Sequence, residues 1–266
     1  WGSGHDVTVR NGGCVSTWLD GGFAIHDVSN IAASHIDFQL EELVSATSLL
    51  NHTKYANANT YHAAISENGQ WLVTTDGRST IGCRTWNLGS ITSPTVALTQ
   101  TSQFTSPTGT VIHSAEIKGK YVYVSNFMDG CRILELTPAG LLREVGRYDT
   151  TPTTGGTGYN GVWSVCLAGE RVLLSDTTQG LFAVDFRDTI VVTTADWKRG
   201  AGTLTIESTS TASPSVALEV AGFGPMIWNA NLGKYQLVVS GVSSNPGTIT
   251  VTSDIGGSQT SSVRRR

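Results

Sequence analysis

Residues 113–148 read as four strand-like segments in succession: His113-Ser-Ala-Glu-Ile-Lys118, Tyr121-Val-Tyr-Val-Ser125, Cys131-Arg-Ile-Leu-Glu-Leu136 and Leu142-Arg-Glu-Val-Gly-Arg-Tyr148. Between the second and third segments, Asp129-Gly130 is a strong hairpin signal. The segments alternate or are rich in strand-forming residues, and breakers separate them. Four short antiparallel strands in about 50 residues make one propeller blade. This stretch therefore predicts a blade.

The unit recurs along the first two thirds of the chain, with openings near His5, His62, His113 and Trp163. The opening residue lies 17 residues before a turn glycine in three units: His5 to Gly22, His113 to Gly130, and Trp163 to Gly180. The second unit carries a short insertion in this interval. A period near 50 residues is typical of propeller blades. The sequence predicts an all-β fold with four recognisable four-stranded repeats. Four blades are few, so either blades are missing upstream or the propeller is small or completed by assembly.

After about Phe186 the sequence changes to short strand-like runs with turn signals every 8–12 residues, a pattern typical of a small β-sandwich. We expect a propeller over residues 1–188 and an Ig-like β-sandwich over residues 189–266. Trp197 and Trp228 are assigned to the sandwich core. Residues 36–50 interrupt the repeat and fit either a short helix or an outer strand.

Composition supports an all-β chain and excludes some partners. The 266 residues include 30 glycines, only 14% are charged, and the net charge is −4. The sequence lacks the cluster of basic residues that would indicate nucleic-acid binding. It also lacks the run of about 18 apolar residues that would indicate a membrane span. Because the chain starts at Trp1, inside a repeat, we expect upstream sequence to have been cleaved or to be missing. The three arginines 264–266 are expected to form a solvated or truncated tail, the alternative being a specific contact.

The blade units resemble those of LVIVD-repeat propellers, and in particular the choice-of-anchor B family of bacterial surface and secreted proteins. The resemblance covers residues 1 to about 186 and rests on these pieces: Gly4-His-Asp-Val-Thr-Val9 with Asp27-Val-Ser29; Tyr61-His62 with Trp71-Leu-Val-Thr-Thr-Asp76; His113-Ser114 with Val145-Gly-Arg-Tyr-Asp149; and Tyr159-Asn-Gly-Val-Trp-Ser-Val165 with Gly180-Leu-Phe-Ala-Val184. The resemblance implies an extracellular or cell-surface protein. It does not imply a particular enzymatic reaction. The C-terminal part is similar to small Ig-like modules of secreted bacterial proteins.

Equivalent residues of successive blades surround the central channel of a propeller. The repeat therefore predicts that His5, His62 and His113 meet, with Trp163 as the fourth member plugging the channel. Three imidazoles around an axis can bind a transition metal. The alternative is that each histidine hydrogen-bonds the backbone of a neighbouring blade as a repeated structural contact.

Other candidate sites are weaker. Clustered loop carboxylates can hold calcium, the alternative being ordinary turn aspartates; the candidates are Asp20, Asp76, Asp129, Asp149 and Asp176. No cofactor is certain, and calcium and a transition metal are the two that the sequence leaves open. Asn51-His-Thr is a glycosylation sequon. Buried free thiols are the first interpretation of the cysteines and one or two disulfides the second, for Cys14, Cys83, Cys131 and Cys166.

Three functions follow from these features. The first is a non-enzymatic secreted or cell-surface scaffold or adhesion protein that self-associates into a filament or layer, or binds other surface proteins. The second is a metal-dependent enzyme with a histidine-lined site at the channel. The third is a carbohydrate-binding module that binds glycans through exposed aromatic side chains such as Trp18, Trp71 and Tyr159. The sequence contains no GxSxG, HExxH or P-loop motif, and this favours a scaffold over an enzyme.

Overall fold

The structure is a computed structural model that describes residues 2–29, 49–93, 98–152, 158–169 and 171–266. All regular secondary structure in these ranges is β-strand. The described residues contain no helix that could serve as a membrane span. The chain divides into two compact units, Trp1–Val184 and Asp185–Arg266.

The first three blades are four-stranded antiparallel sheets in which each strand pairs with the next along the chain. Blade 1 contains β1 Asp6–Arg10, β2 Gly13–Thr17, β3 Phe23–Asp27 and β4 Leu49–Thr53; blade 2 contains β5 Thr60–Ile65, β6 Trp71–Asp76, β7 Cys83–Asn87 and β8 Thr99–Phe104; blade 3 contains β9 Ala115–Lys118, β10 Tyr121–Ser125, β11 Cys131–Leu136 and β12 Leu142–Tyr148. The blade predicted from residues 113–148 is therefore confirmed strand by strand.

Blade 4 differs from the others, because its sheet has three strands within the described residues. They are β13 Val162–Ala168, β14 Arg171–Asp176 and β15 Gly180–Asp185. In blades 1 to 3 the turn glycine before the third strand adopts a positive φ, and Gly180 does the same at 88°. The glycine spacing that marks the repeat is therefore present in blade 4, although a fourth strand is not described there.

The blades pack face to face, with their first strands β1, β5, β9 and β13 side by side in the order of the chain. One hydrophobic core joins blades 1 and 2 and includes Phe23, Ile25, Ala63 and Ile65. A second core joins blades 2 and 3, and residues from both sheets contribute to it, including Val73, Cys83, Ala115 and Ile117. Four radial sheets with adjacent first strands are the architecture of propeller blades.

The second unit consists of two sheets around one core. One sheet has the order β20-β21-β17-β16-β24 and the other has the order β19-β18-β22-β23. Their strands are β16 Ile190–Lys198, β17 Thr203–Ser210, β18 Leu218–Val220, β19 Gly224–Pro225, β20 Ile227–Asn229, β21 Lys234–Val239, β22 Thr248–Ser253, β23 Ser258–Ser262 and β24 Arg264–Arg265.

Trp197 is buried in the core of the second unit, and Trp228 packs against that core as a partly buried side chain. The terminal arginines differ from expectation. Arg264 and Arg265 form a short strand parallel to β16, and the side chains of Arg264 and Arg266 each lie 3.0 Å from the Asp196 carboxylate. Backbone pairing and a shared carboxylate therefore hold this segment in a specific contact, although the side chains of Arg264 and Arg266 stay more than half exposed.

Most of the interruption at residues 36–50 lies outside the described residues, which resume at residue 49. From there β4 is the outer strand of blade 1 and pairs with β3.

Candidate functional site

The residues that open the blades converge at one end of the first strands. The ring centroids of His5 and His113 are 5.5 Å apart, and those of His113 and Trp163 are 4.3 Å apart. Tyr61 stacks on His5 with centroids 4.6 Å apart and an interplanar angle of 5°. Phe127 contacts the rings of both His113 and Trp163 edge to face. We call these five side chains the axial cluster.

A hydrogen bond repeated between blades shows which residues are equivalent. In blades 1 to 3, a hydroxyl at the end of the second strand, or one residue before it, donates to the carbonyl of the residue that opens the next blade. Thr17 bonds Tyr61 at 2.7 Å, Thr75 bonds His113 at 2.6 Å, and Ser125 bonds Trp163 at 2.9 Å.

Tyr61, rather than His62, therefore occupies the opening position of blade 2. The β5–β6 pairing shifts register between Thr60 and Ala63. The β13–β14 pairing has the same irregularity between Val162 and Ser164, so it does not displace His62. The hairpin between the first two strands is longer in blade 2, because Ala63 pairs with Thr74 eleven residues on whereas Val7 pairs with Ser16 nine residues on. His62 is equivalent to Asp6 instead, because the backbone N–H groups of both donate to the hydroxyl that ends their own blade's second strand.

His62 lies between blades 1 and 3. Its Nε2 is 3.5 Å from the Asp6 carboxylate, and its Nδ1 accepts a 3.4 Å hydrogen bond from the Ala115 backbone N–H. Burial lowers the pKa of His62 and outweighs the opposing attraction of Asp6. The side chain therefore links three blades through polar contacts while it favours the neutral form.

His113 is the buried histidine of the axial cluster. Burial, reinforced by the charge of His5, lowers the pKa of His113 to about 4, although a hydrogen bond to the Trp163 backbone acts in the opposite direction. His5 is exposed, and its Nδ1 lies 2.7 Å from the Tyr61 carbonyl oxygen. His113 is therefore neutral at neutral pH, and both His5 and His113 bond the backbone of the following blade.

These contacts bear on the metal hypothesis. Within the described ranges, no group of three or more His, Cys, Asp or Glu side chains is arranged to hold a metal ion. His5 Nδ1 and His62 Nδ1 already contact backbone groups. A metal bound by His5, His62 and His113 stays a prediction, and the contacts found are those of the structural alternative.

The aspartates proposed for calcium are distributed over separate turns. Asp76 accepts hydrogen bonds from Tyr55, Asn59 and Arg78. Asp176 accepts from the Thr150 hydroxyl and from backbone N–H groups of its own turn. The hydrogen-bonding capacity of these two carboxylates is therefore used by donors of the protein. Calcium binding also stays a prediction.

The aromatic side chains named for glycan binding have different environments. Trp71 is buried in the core between blades 2 and 3, and Trp18 is partly buried and donates a 2.8 Å hydrogen bond to Ser16. Tyr159 is exposed and packs edge to face on Phe127. Trp163 packs on His113 yet leaves nearly half of its surface exposed. The exposed aromatic surface therefore lies at the axial cluster.

Asn51 and the cysteines can also be placed. Asn51 lies on β4, is buried, and accepts a 2.8 Å hydrogen bond from the Thr53 hydroxyl of its own sequon. Glycosylation of Asn51 stays a prediction. All four cysteines are free thiols; three are buried and one is exposed, namely Cys14, Cys83, Cys131 and, as the exposed one, Cys166.

Sequence reasoning missed the hydroxyl residues that join the blades. A signal for them exists, since Thr17, Ser125 and Ser175 each stand five residues before their turn glycine. Thr75 stands seven residues before Gly82, because the insertion of the second unit falls within this interval.

No protein-family model matches the chain, and no curated protein sequence matches it either. The β-propeller domain of Myceliophteria thermophila Cps50 (Swd1) is similar in structure, with 11% identity, 97% of this chain and 95% of that chain covered, and a TM-score of 0.45. PorZ, a bacterial surface component of the type-IX secretion system of Porphyromonas gingivalis, has 11% identity, 99% and 39% coverage, and a TM-score of 0.49. The computationally designed Ika4 protein has 9% identity, 70% and 92% coverage, and a TM-score of 0.48.

These identities are too low to transfer a function. The class of the protein follows from its own blades: successive antiparallel sheets, packed face to face with their opening residues brought together, define a β-propeller protein.

Proposed function

We propose that the protein is a non-enzymatic extracellular or cell-surface scaffold, or adhesion protein, that self-associates through the strand edges of its sheets. In this proposal residues 1–188 are an LVIVD-like propeller of the choice-of-anchor B type, and residues 189–266 are an Ig-like module that acts as a spacer or docking domain. The observation that carries the proposal is the edge of blade 4.

Within the described residues, no strand pairs with the outer edge of β15. In blades 1 to 3 a fourth strand covers the third, whereas the described part of blade 4 ends at β15. An unpaired strand edge presents backbone N–H and C=O groups to any extended chain and favours strand addition. Alternate residues of β15 are exposed, including the large apolar side chain of Leu181. Such an edge supports association.

Light scattering over a concentration series of the full chain tests this proposal. We expect the average mass to rise with concentration to at least a dimer, because the described strands leave the outer edge of β15 unpaired. A mass that stays monomeric at the highest soluble concentration would overturn the proposal.

A carbohydrate-binding module is the second candidate, favoured by the exposed rings of Tyr159 and Trp163 beside the axial cluster. Exposed aromatic faces give sugars an apolar stacking surface. Glycan-array binding by the full chain that is lost in Trp163→Ala would support this candidate. Absence of binding to any glycan would exclude it.

The metal-dependent enzyme stays a third proposal, favoured only by the approach of the His5 and His113 rings. Elemental analysis of the purified protein tests it. Stoichiometric transition metal that disappears in a His62→Ala, His113→Ala double variant would support it, and metal-free protein after metal loading would contradict it.

A further inference from the structure

The stack of blades has two end faces. Each end face carries residues equivalent to those that form the interfaces between blades inside the stack. Val7, Ala63, Ala115 and Val165 are equivalent, because each pairs with the residue that precedes the hydroxyl at the end of its blade's second strand. The last three are at most 4% exposed, whereas Val7 of blade 1 is 59% exposed. Val7 therefore has the residue type of a blade interface, and no described residue of this chain covers it.

The other end face shows the complementary exposure. Leu181 follows the turn glycine of blade 4, as Phe23, Cys83 and Cys131 follow the turn glycines of blades 1 to 3. The three earlier residues are at most 1% exposed, and Leu181 is 71% exposed.

Inside the stack these two sets of positions pack on each other. The core between blades 1 and 2 contains Phe23 together with Ala63 and Ile65 of the next blade. In the core between blades 2 and 3, Cys83 lies together with Ala115 and Ile117. The equivalent residues at the two end faces are Leu181 of blade 4 and, on blade 1, Val7 and Val9.

The donor and the acceptor positions of the repeated hydrogen bond also lie at the two ends of the stack. Ser175 ends the second strand of blade 4 and is equivalent to Thr17, Thr75 and Ser125, whose hydroxyls bond the next blade. Ser175 is exposed, and its hydroxyl makes no hydrogen bond within the described part of the chain. His5 opens blade 1 and carries the carbonyl at the acceptor position. Donor and acceptor are thus left on opposite faces of one molecule.

From this division we propose that blade 4 of one copy docks on blade 1 of a second copy, head to tail, with Leu181 packed on Val7 and Val9 of the other copy and Ser175 bonded to its His5 carbonyl. The second copy is the occupant because it presents the matching apolar positions and the matching acceptor together. The inference rests on the proposed self-association but places the contact on the blade faces instead of on the edge of β15. A heterologous contact of this kind builds either a ring of copies or a filament.

Charged variants at the two faces test the proposal in the full chain. Leu181→Asp blocks the face of blade 4, and the double variant Val7→Asp, Val9→Asp blocks the face of blade 1. Both faces are exposed, so the variants should fold as the wild type does, which circular dichroism checks. Ile227→Asp is the matched control, because Ile227 is 74% exposed and lies in the second unit. We expect sedimentation to show monomers for both blocked variants and wild-type association for the control.

Mixing the two blocked variants separates this interface from pairing between identical edges. Each variant retains the face that the other lacks. An equimolar mixture should therefore form a heterodimer with one interface and no larger oligomer. Pairing through the β15 edge alone would leave the Val7, Val9 variant fully associated and would give no recovery on mixing.

Cys166 supplies an independent readout on the face of blade 4. Cys166 is exposed, while its equivalent in blade 2, Ala64, is buried in the core shared with blade 3. We expect a maleimide to label Cys166 at least tenfold more slowly in the associated wild type than in Leu181→Asp.

The results distinguish the two proposals. Association that persists in both blocked variants, or unchanged labelling of Cys166, overturns the head-to-tail interface and leaves the self-associating scaffold intact. A wild type that is monomeric at every concentration overturns both.

Discussion

Thr75 of blade 2 donates a 2.6 Å hydrogen bond from its side-chain hydroxyl to the backbone carbonyl of His113 in blade 3. The same hydroxyl accepts a 3.1 Å hydrogen bond from the backbone N–H of His62. Thr75 is fully buried, so no solvent competes for either bond. One side chain therefore fixes the first strand of its own blade and the start of the next.

The first prediction concerns this hydroxyl. Thr75→Val keeps the shape of the side chain but leaves the His62 N–H and the His113 carbonyl without these partners. We expect urea denaturation to show a loss of about 1–3 kcal/mol in the free energy of unfolding. Thr75→Ser is the control, because it retains the hydroxyl and should retain more of the stability. Equal losses in the two variants would show that the methyl group, and not the hydrogen bonds, is responsible.

Arg132 gives the second prediction, because it is almost fully buried within blade 3. Its guanidinium bonds the Asp129 carboxylate through both Nε and Nη2 and contacts Glu144 at 2.7 Å. Arg132→Met fills the space but leaves Asp129 without its cation. Removing one member of a buried ion pair costs about 3–5 kcal/mol, and we expect a loss of that order by urea denaturation.

Arg143 provides the matched control for Arg132. Its guanidinium lies 2.6 Å from Glu135, but the side chain is about half exposed. Solvent-exposed ion pairs contribute about 0–1 kcal/mol, so Arg143→Met should change stability little. If Arg132→Met cost no more than Arg143→Met, the buried pair would not stabilise blade 3.

The third prediction concerns pH, because burial lowers the pKa of His113 to about 4. In the unfolded chain a histidine titrates near pH 6.5. Between these values the unfolded state binds more protons than the folded state, so stability falls as the pH falls from 6.5 towards 4. Urea unfolding at pH 7 and pH 4.5 should show a loss in the wild type about 2 kcal/mol larger than in His113→Phe.

His113→Phe isolates this effect, because His62 and the carboxylates titrate in both proteins. His62 acts in the same direction, since burial lowers its pKa as well. Identical pH dependence in the two proteins would mean that His113 can be protonated without cost in the folded state.

The strands of blade 3 could be predicted residue by residue, because breakers separate them and each strand is rich in β-formers. The equal spacing from His5 to Gly22 and from His113 to Gly130 also located equivalent residues correctly, since no insertion falls within either interval. In blade 2 the opening residue Tyr61 lies 14 residues before Thr75, whereas His5 lies 12 residues before Thr17, because the first hairpin of blade 2 is longer. The residue types do not show the length of this insertion, so Tyr61 was overlooked in favour of the neighbouring histidine.

Environments that depend on neighbouring blades could not be predicted. Trp71 and Trp163 are both strand aromatics, yet Trp71 is buried between two blades and Trp163 is half exposed. Leu181 carries the same apolar signal as Phe23, which is fully buried. The sequence of a blade determines which side chains belong at an interface, but burial also depends on whether a second blade is present.

The fourth prediction compares two turn glycines that occupy equivalent positions in blades 3 and 4. Gly130 and Gly180 have φ values of 76° and 88°, which disfavour any residue with a side chain. A Cβ on Gly130 would lie 2.2 Å from the carbonyl oxygen of Tyr148 in the fourth strand, whereas a Cβ on Gly180 meets no atom within 4 Å. Each alanine variant should lose about 1–2 kcal/mol from the left-handed backbone.

The clash with the Tyr148 carbonyl should add about 1–3 kcal/mol for Gly130→Ala alone. Urea denaturation of dilute protein measures the difference between the two variants. Equal losses would mean that a strand covers Gly180 in solution, as β12 covers Gly130, and that blade 4 is four-stranded. A clear difference would mean that the third strand of blade 4 is an open edge, because the only steric contrast between these turns is the backbone of the fourth strand.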